Sequence, residues 1–465
     1  MSPLIATILI GIGIIGLFVL DRNGEAQASK ALWIPVVYLC ICGSRSVSAW
    51  LGVNPLDEVN GVYSSPIDAA VNLVLLALGL IVLIARRRQS RLLLRRSGAV
   101  LLFYSYGLLS VLWSDLPFIT FKHWTKGVED VVMVLIVLTD KNPIMALRRL
   151  LTRSGFVLIP LSLLLSRYYP SLGRGWSKSY EALVIGVTTE KNSLGIICLV
   201  FGLGSLWCFL RAYGDRKSAV RSRRLLAHGA MLGIVVWLLE MSHSLTASVS
   251  FVLASGVLVL ASRLSTRTKT ARVHLIVGAA LCIALFPLFV APTLVQSLGR
   301  DTTFSGRTKI WHILPGLVKN PWLGAGYETF LVGDRLVQLH SIIDKTFQEA
   351  HDGYLEVYLN LGWIGVSLFV LLLATGYQKI VAAFRRDPAG GSLRLAFFVA
   401  VLIEGLTEAS FRMLTLTWFV LLWAIISASK AVPYERSVRK PGEFAQCDGP
   451  VLAFGDAKTI VRPRA

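Results

Sequence analysis

The stretch Ala350-His351-Asp352-Gly-Tyr354-Leu-Glu356 puts an imidazole and two carboxylates at the mouth of a long apolar run. Imidazole has an ordinary pKa of about 6.5, which suits a general base near neutrality. Upstream, Leu298-Gly-Arg300-Asp-Thr-Thr-Phe-Ser-Gly306-Arg307 carries two guanidinium groups, permanently charged and able to offer planar paired donors to an anionic oxygen. Lys191 and Asn192 begin another apolar run, and Arg174 lies in the polar stretch before it. No Asp-x-Asp pair occurs in the chain, so arginine rather than a carboxylate-clamped metal is the natural neutraliser of developing negative charge. The bland alternatives are an interfacial structural histidine and arginines snorkelling to lipid headgroups. His312 and His340 share the loop of Arg307, and His243 sits at another boundary, without comparable neighbours.

If residues 351–365 start the next span as a helix, Asp352 and Glu356 lie four apart on one face, and His351 shares a face with Tyr354 and Leu355. Asp352 then either fixes the ring tautomer of His351 or caps the helix. Glu404 and Glu408 are four apart inside an apolar run, where acids are costly enough to mark function.

The elements that must position these groups are membrane spans. Of 465 residues, 54% are hydrophobic and only 16% charged, with a mean hydropathy of +0.64. Soluble chains carry about 25% charged residues, so a soluble globular protein is excluded. Apolar runs fall near 3–20, 31–43, 66–85, 98–113, 126–139, 154–166, 192–210, 226–241, 246–262, 274–292, 354–378, 393–409 and 411–429. The fold predicted is all-α and polytopic, with about 12–13 transmembrane helices and one large outer loop. The first run lacks a basic leader and a cleavage site and reads as a retained span; its Gly11-Ile-Gly13-Ile-Ile-Gly16 reads as close helix packing rather than nucleotide binding. The six cysteines suggest neither a disulfide framework nor a metal site.

The net charge of +20 is not gathered on a soluble module, so no nucleic-acid partner is expected. Alternate inter-span segments hold 33 of the 47 Lys and Arg but nine of the 27 acids, a net +24, leaving −4 on the other face. The basic face is cytoplasmic by the positive-inside rule, with the N-terminus outside and the C-terminus inside. The chain then divides into N-terminal helices over 1–291 with an outer loop at 167–192, a large periplasmic loop over 292–352, helices over 353–429 and a poorly ordered cytoplasmic tail over 430–465. Within the large loop, Lys309–Lys319 reads as an amphipathic helix on the membrane surface or over a cavity.

Four segments together resemble the O-antigen ligase and polymerase superfamily, particularly its exopolysaccharide-polymerase branch. These are Gly186-Val-Thr-Thr-Glu-Lys-Asn-Ser-Leu-Gly195, Leu298–Trp311 followed by Asn320-Pro-Trp-Leu-Gly324-Ala-Gly326, His351-Asp352 with Gly362 and Gly365, and Thr407-Glu408-Ala-Ser410. Asp352 departs from the usual Asn, Ser or Gln, Glu190 stands where a His often precedes the Lys-Asn pair, and Ser244-Leu245-Thr246 lacks an arginine common at that loop.

The resemblance implies an inverting, metal-independent transfer of a glycan from an undecaprenyl-diphosphate carrier to an acceptor hydroxyl outside the bacterial inner membrane, without cofactors. His351 and Arg307 are the catalytic candidates. Arg300, Arg174, Lys191, Asn192, Asp352, Tyr354 and Glu356 are the substrate-binding ones. A polymerase is expected. The alternatives are a ligase that uses lipid A core as acceptor and a transporter or flippase of lipid-linked sugars. Membrane lipids, a chain-length regulator and a flippase are the expected partners.

Overall fold

The computed structural model describes residues 2–22, 28–53, 65–176, 182–216, 218–264, 270–290, 307–343 and 349–426. In chain order the helices are α1 Pro3–Asp21, α2 Trp33–Cys42, α3 Val47–Trp50, α4 Pro66–Ala85, α5 Arg87–Arg96, α6 Gly98–Leu109, α7 Pro117–Leu138, α8 Pro143–Tyr168, α9 Pro170–Gly173, α10 Lys191–Gly214, α11 Arg221–Ser242, α12 Leu245–Ser262 and α13 Thr270–Val290. They continue with α14 Arg307–Ile313, α15 Asp334–Ile343, α16 Gly353–Arg386, α17 Pro388–Glu404 and α18 Leu416–Ile425. A two-stranded antiparallel ribbon, β1 Arg174–Trp176 and β2 Ala182–Val184, is the only sheet among the described residues.

Helix starts follow local chemistry. Ser2, Ser65, Asn142 and Asp387 each accept a backbone N–H just ahead of a proline at the first helical position. Among the described residues, seven helices are long and apolar enough to cross a membrane, and each remaining apolar run of the sequence also holds a helix. The helices that begin furthest ahead of their apolar runs are α7 at Pro117 and α8 at Pro143. In α7 the pattern is interrupted by polar side chains that have partners: His123 Nδ1 lies 2.8 Å from the Glu328 carbonyl, and Asp130 accepts from Tyr38 Oη at 2.5 Å and Leu414 N at 3.1 Å.

Helices α8, α10, α17 and α18 are buried over most of their lengths and make the centre, whereas α1 and α4 expose apolar side chains almost all round. Exposed apolar helices of that kind face hydrocarbon. Gly11, Gly13 and Gly16 lie on the exposed surface of α1, with no atom within 4 Å of an added Cβ, so the close packing expected there is not made within the described chain.

Segments tallied from the sequence as one face do gather. Asp21 meets Arg148 and His228, Arg86 reaches Ser29 and Asp140, and Lys379 reaches the Arg96 carbonyl. The opposite segments also join one another: Arg45 with Thr188, Asp115 with Lys319 and Arg335, and Asn192 with Glu408.

Helix α16 is not continuous. At Gly362 the backbone turns to φ 62°, ψ −167°, and the turn segment 320–326 packs against the break. Ala325 and Gly326 donate to the Leu359 and Asn360 carbonyls at 3.1 and 2.8 Å, and Trp363 and Ile364 donate to Pro321 and Trp322 at 2.9 and 3.2 Å. A Cβ on Gly362 would stand 2.4 Å from the Trp322 carbonyl, and one on Gly324 2.5 Å from that of Asn360. The single helix expected over 351–365 is therefore corrected to a helix that starts at Gly353 and breaks at Gly362. Residues 430–465, Arg300 and the side chains of Arg307 and His340 lie outside the described residues.

Candidate active site

His351 does not belong to the helix that follows it. Its φ is +52°, a strained value for a residue with a Cβ, and Asp352 is the true N-cap, accepting from Tyr354 N at 3.0 Å and Leu355 N at 3.1 Å. Asp352 is thus a cap, and the shared helical face expected for His351, Tyr354 and Leu355 is corrected. Burial pushes the Asp352 carboxyl above its usual range, and these two backbone donors only partly offset that.

The carboxylate beside the imidazole comes from far along the chain. Nδ1 of His351 lies 3.4 Å from Glu408 Oε2, and Asn192 Nδ2 donates to Glu408 Oε1 at 2.9 Å. The geometry fits an Nδ1–H directed at the carboxylate, which leaves Nε2 as the proton-accepting nitrogen; the separation is longer than a fully formed bond. Three of the four resembling segments thereby meet at one point. Tethers fix the loop ends: Gly353 N donates to the Gly405 carbonyl at 2.9 Å, Tyr354 Oη to Leu402 at 3.0 Å, and Thr246 and Thr407 hydroxyls lie 2.6 Å apart. The Ala350 carbonyl accepts from Trp311 Nε1 at 2.9 Å, which ties α14 to the histidine loop.

Behind the histidine stands a cluster of which only Glu356 is singled out by the sequence. Arg412 Nε lies 3.2 Å from Glu328 Oε2 and 3.9 Å from Glu356 Oε2, and its Nη1 is 3.6 Å from Glu349 Oε1. Glu356 also accepts from Ala350 N at 2.8 Å, and Glu328 from Met413 N at 3.2 Å. Burial works against the Arg412 charge, but Glu356, Glu328 and Glu349 together hold its pKa above the usual value. The Glu328 carboxyl is raised by burial, with Arg412 and the Met413 N–H pulling it partly back. Glu328 and Leu414 join His351 with positive φ, at 56° and 58°. The available signal was charge at a span boundary, since Arg412 and Glu408 both interrupt the apolar stretch before the last helix.

The remaining candidates scatter. Arg174 Nε donates to the Ser166 carbonyl at 3.1 Å, and Lys191 begins α10 next to Asn192. Arg307 opens α14, on the same short helix as Trp311. Ser244 precedes α12, and His312 and His243 are exposed. Among the described residues, Glu349, His351 and Glu408 each bring one ligating atom within 4.8 Å of the others.

A family model described as O-antigen ligase matches residues 230–370, a window that contains Arg307, His351, Gly362 and Gly365 but neither Asn192 nor Glu408. The exopolysaccharide production protein ExoQ of Rhizobium meliloti (strain 1021) is 24% identical over 305 residues. That stretch is 62% of this chain and 66% of the relative, just under two thirds of that protein's length.

Proposed function

We propose that this chain, which is similar to the O-antigen ligase family over residues 230–370, is a polysaccharide polymerase moving a glycan from an undecaprenyl-diphosphate carrier onto an acceptor sugar. The observation that carries the proposal is the imidazole of His351 backed by a carboxylate that Asn192 holds in turn. Such an arrangement is what a hydroxyl nucleophile requires.

In this reading His351 Nε2 takes the acceptor hydroxyl proton as the oxygen bonds to the anomeric carbon. The bond to the diphosphate breaks on the opposite side, with inversion. The departing diphosphate is already acidic, so it needs charge neutralisation rather than a proton, a task given to Arg307 and Arg300. Glu408 holds the ring and favours the imidazolium that forms. No divalent cation takes part. The basic face is cytoplasmic and the site faces the periplasm, while the carrier tail lies between spans.

The test is transfer by purified protein given an undecaprenyl-diphosphate glycan with and without a lipid A core acceptor. A ladder of lengthening products supports the polymerase. Single transfer onto the core makes it a ligase, and movement of intact lipid across a bilayer without a new glycosidic bond makes it a transporter.

A further inference from the structure

We infer that Glu349, His351 and Glu408 form an inhibitory site for a zinc-class divalent cation, a reading that rests on the role proposed above for His351. Their three ligating atoms lie within 4.8 Å of one another. Zinc holds nitrogen and oxygen ligands at about 2.0–2.2 Å, which places neighbouring ligand atoms of a tetrahedron roughly 3.3–3.6 Å apart. The His351 Nδ1 to Glu408 Oε2 distance of 3.4 Å already has that value, so Glu349 alone must draw closer. Side-chain exposures of 23% for His351 and 32% for Glu349 give an ion access, whereas Glu408 is 7% exposed and anchored by Asn192. Anchoring of that kind orients a metal ligand.

Charge favours a cation as well. Glu328, Glu349 and Glu356 share one guanidinium, that of Arg412, while Glu408 lies beside His351. Releasing Glu349 costs Arg412 only its 3.6 Å contact, because Glu328 lies nearer. A nitrogen donor beside two carboxylates suits zinc, cobalt or manganese better than magnesium, which prefers an octahedron of oxygens. The consequence for the reaction follows from proton balance. A neutral imidazole that gives Nδ1 to a cation carries its proton on Nε2, and so cannot accept another from the incoming hydroxyl.

The test begins with binding, which needs no glycan. Chelator-treated full-length protein without a polyhistidine tag is titrated with zinc chloride by calorimetry. One ion per chain is expected in the wild type, with affinity at least about tenfold weaker in Glu349→Gln and in His351→Ala, and both variants are checked by size exclusion. Equal binding in all three overturns the site. In elongation assays zinc should stop the wild type, EDTA should restore it, and Glu349→Gln should need about tenfold more zinc for half inhibition. Zinc that binds there yet leaves elongation unchanged or faster overturns the inhibitory role. If the wild type never elongates but both variants lose zinc, the site stands and the polymerase reading fails.

Discussion

Nδ1 of His351 faces Oε2 of Glu408 across 3.4 Å, although 57 positions separate the two residues in the chain. With Glu408 as a positioning residue, Glu408→Gln should lower kcat by roughly 10- to 100-fold, with KM changed less than about threefold. Glu408→Asp should fall between. Asn192→Ala, one step further out, should cost roughly three- to tenfold. Steady-state kinetics on lipid-linked donor separates the two constants; a rise in KM alone would make Glu408 a binding group.

Asp352 caps α16 through one oxygen. Asparagine keeps that acceptor, so Asp352→Asn should retain activity within about threefold, while Asp352→Ala should lose about 1 kcal/mol of stability. Thermal unfolding with parallel activity checks this. Inactivity of a stable Asp352→Asn would show that the charge itself is needed.

Gly362 and Gly324 let two backbones touch. Alanine at Gly362 would meet the Trp322 carbonyl at 2.4 Å and strain a φ of +62°, so Gly362→Ala should cost upwards of about 3 kcal/mol. Yield of monodisperse protein from membranes is the readout. Gly316→Ala, with nothing within 4 Å, is the control and should behave as wild type.

Arg412 balances Glu328, Glu349 and Glu356. Arg412→Met leaves buried carboxylates uncompensated, a change worth roughly 3–5 kcal/mol, and adding Glu328→Gln should recover part of it. The pH dependence has a definite sign. Glu328 has a carboxyl raised above its unfolded value by burial, and removing Arg412 raises it further. The stability from its protonated form is present at low pH and lost as pH rises through the folded value. Unfolding temperatures of Arg412→Met should therefore fall from pH 5 to pH 8 more steeply than those of the wild type. Parallel curves would remove Arg412 from the balance.

Apolar length revealed the spans because hydrocarbon imposes one requirement on every stretch that crosses it. The first turns of α7, over 117–125, were missed because Lys122 and His123 interrupt the apolar pattern, and the partner of His123, the Glu328 carbonyl, comes from elsewhere in the chain. Asp352 illustrates a local ambiguity: capping and ring-holding use the same short carboxylate at the same place, and only coordinates choose. Glu408 was legible as an acid in an apolar run, but its meeting with His351 and Asn192 depends on how three helix ends converge. Arg412 escaped because its three partners, Glu328, Glu349 and Glu356, come from separate parts of the loop and helix preceding it. The break at Gly362 was hidden because its cause, the 320–326 segment, lies well before it in sequence.

The most direct test of the account is elongation of an undecaprenyl-diphosphate glycan by reconstituted protein in EDTA, comparing wild type with His351→Ala of equal stability. The account predicts a ladder of longer glycans from wild type and at least a hundredfold slower ladder, on the order of what loss of a general base costs, from His351→Ala. Equal ladders from both proteins would contradict the role of His351, and a wild-type ladder that appears only when a divalent cation is restored would contradict the metal-free chemistry.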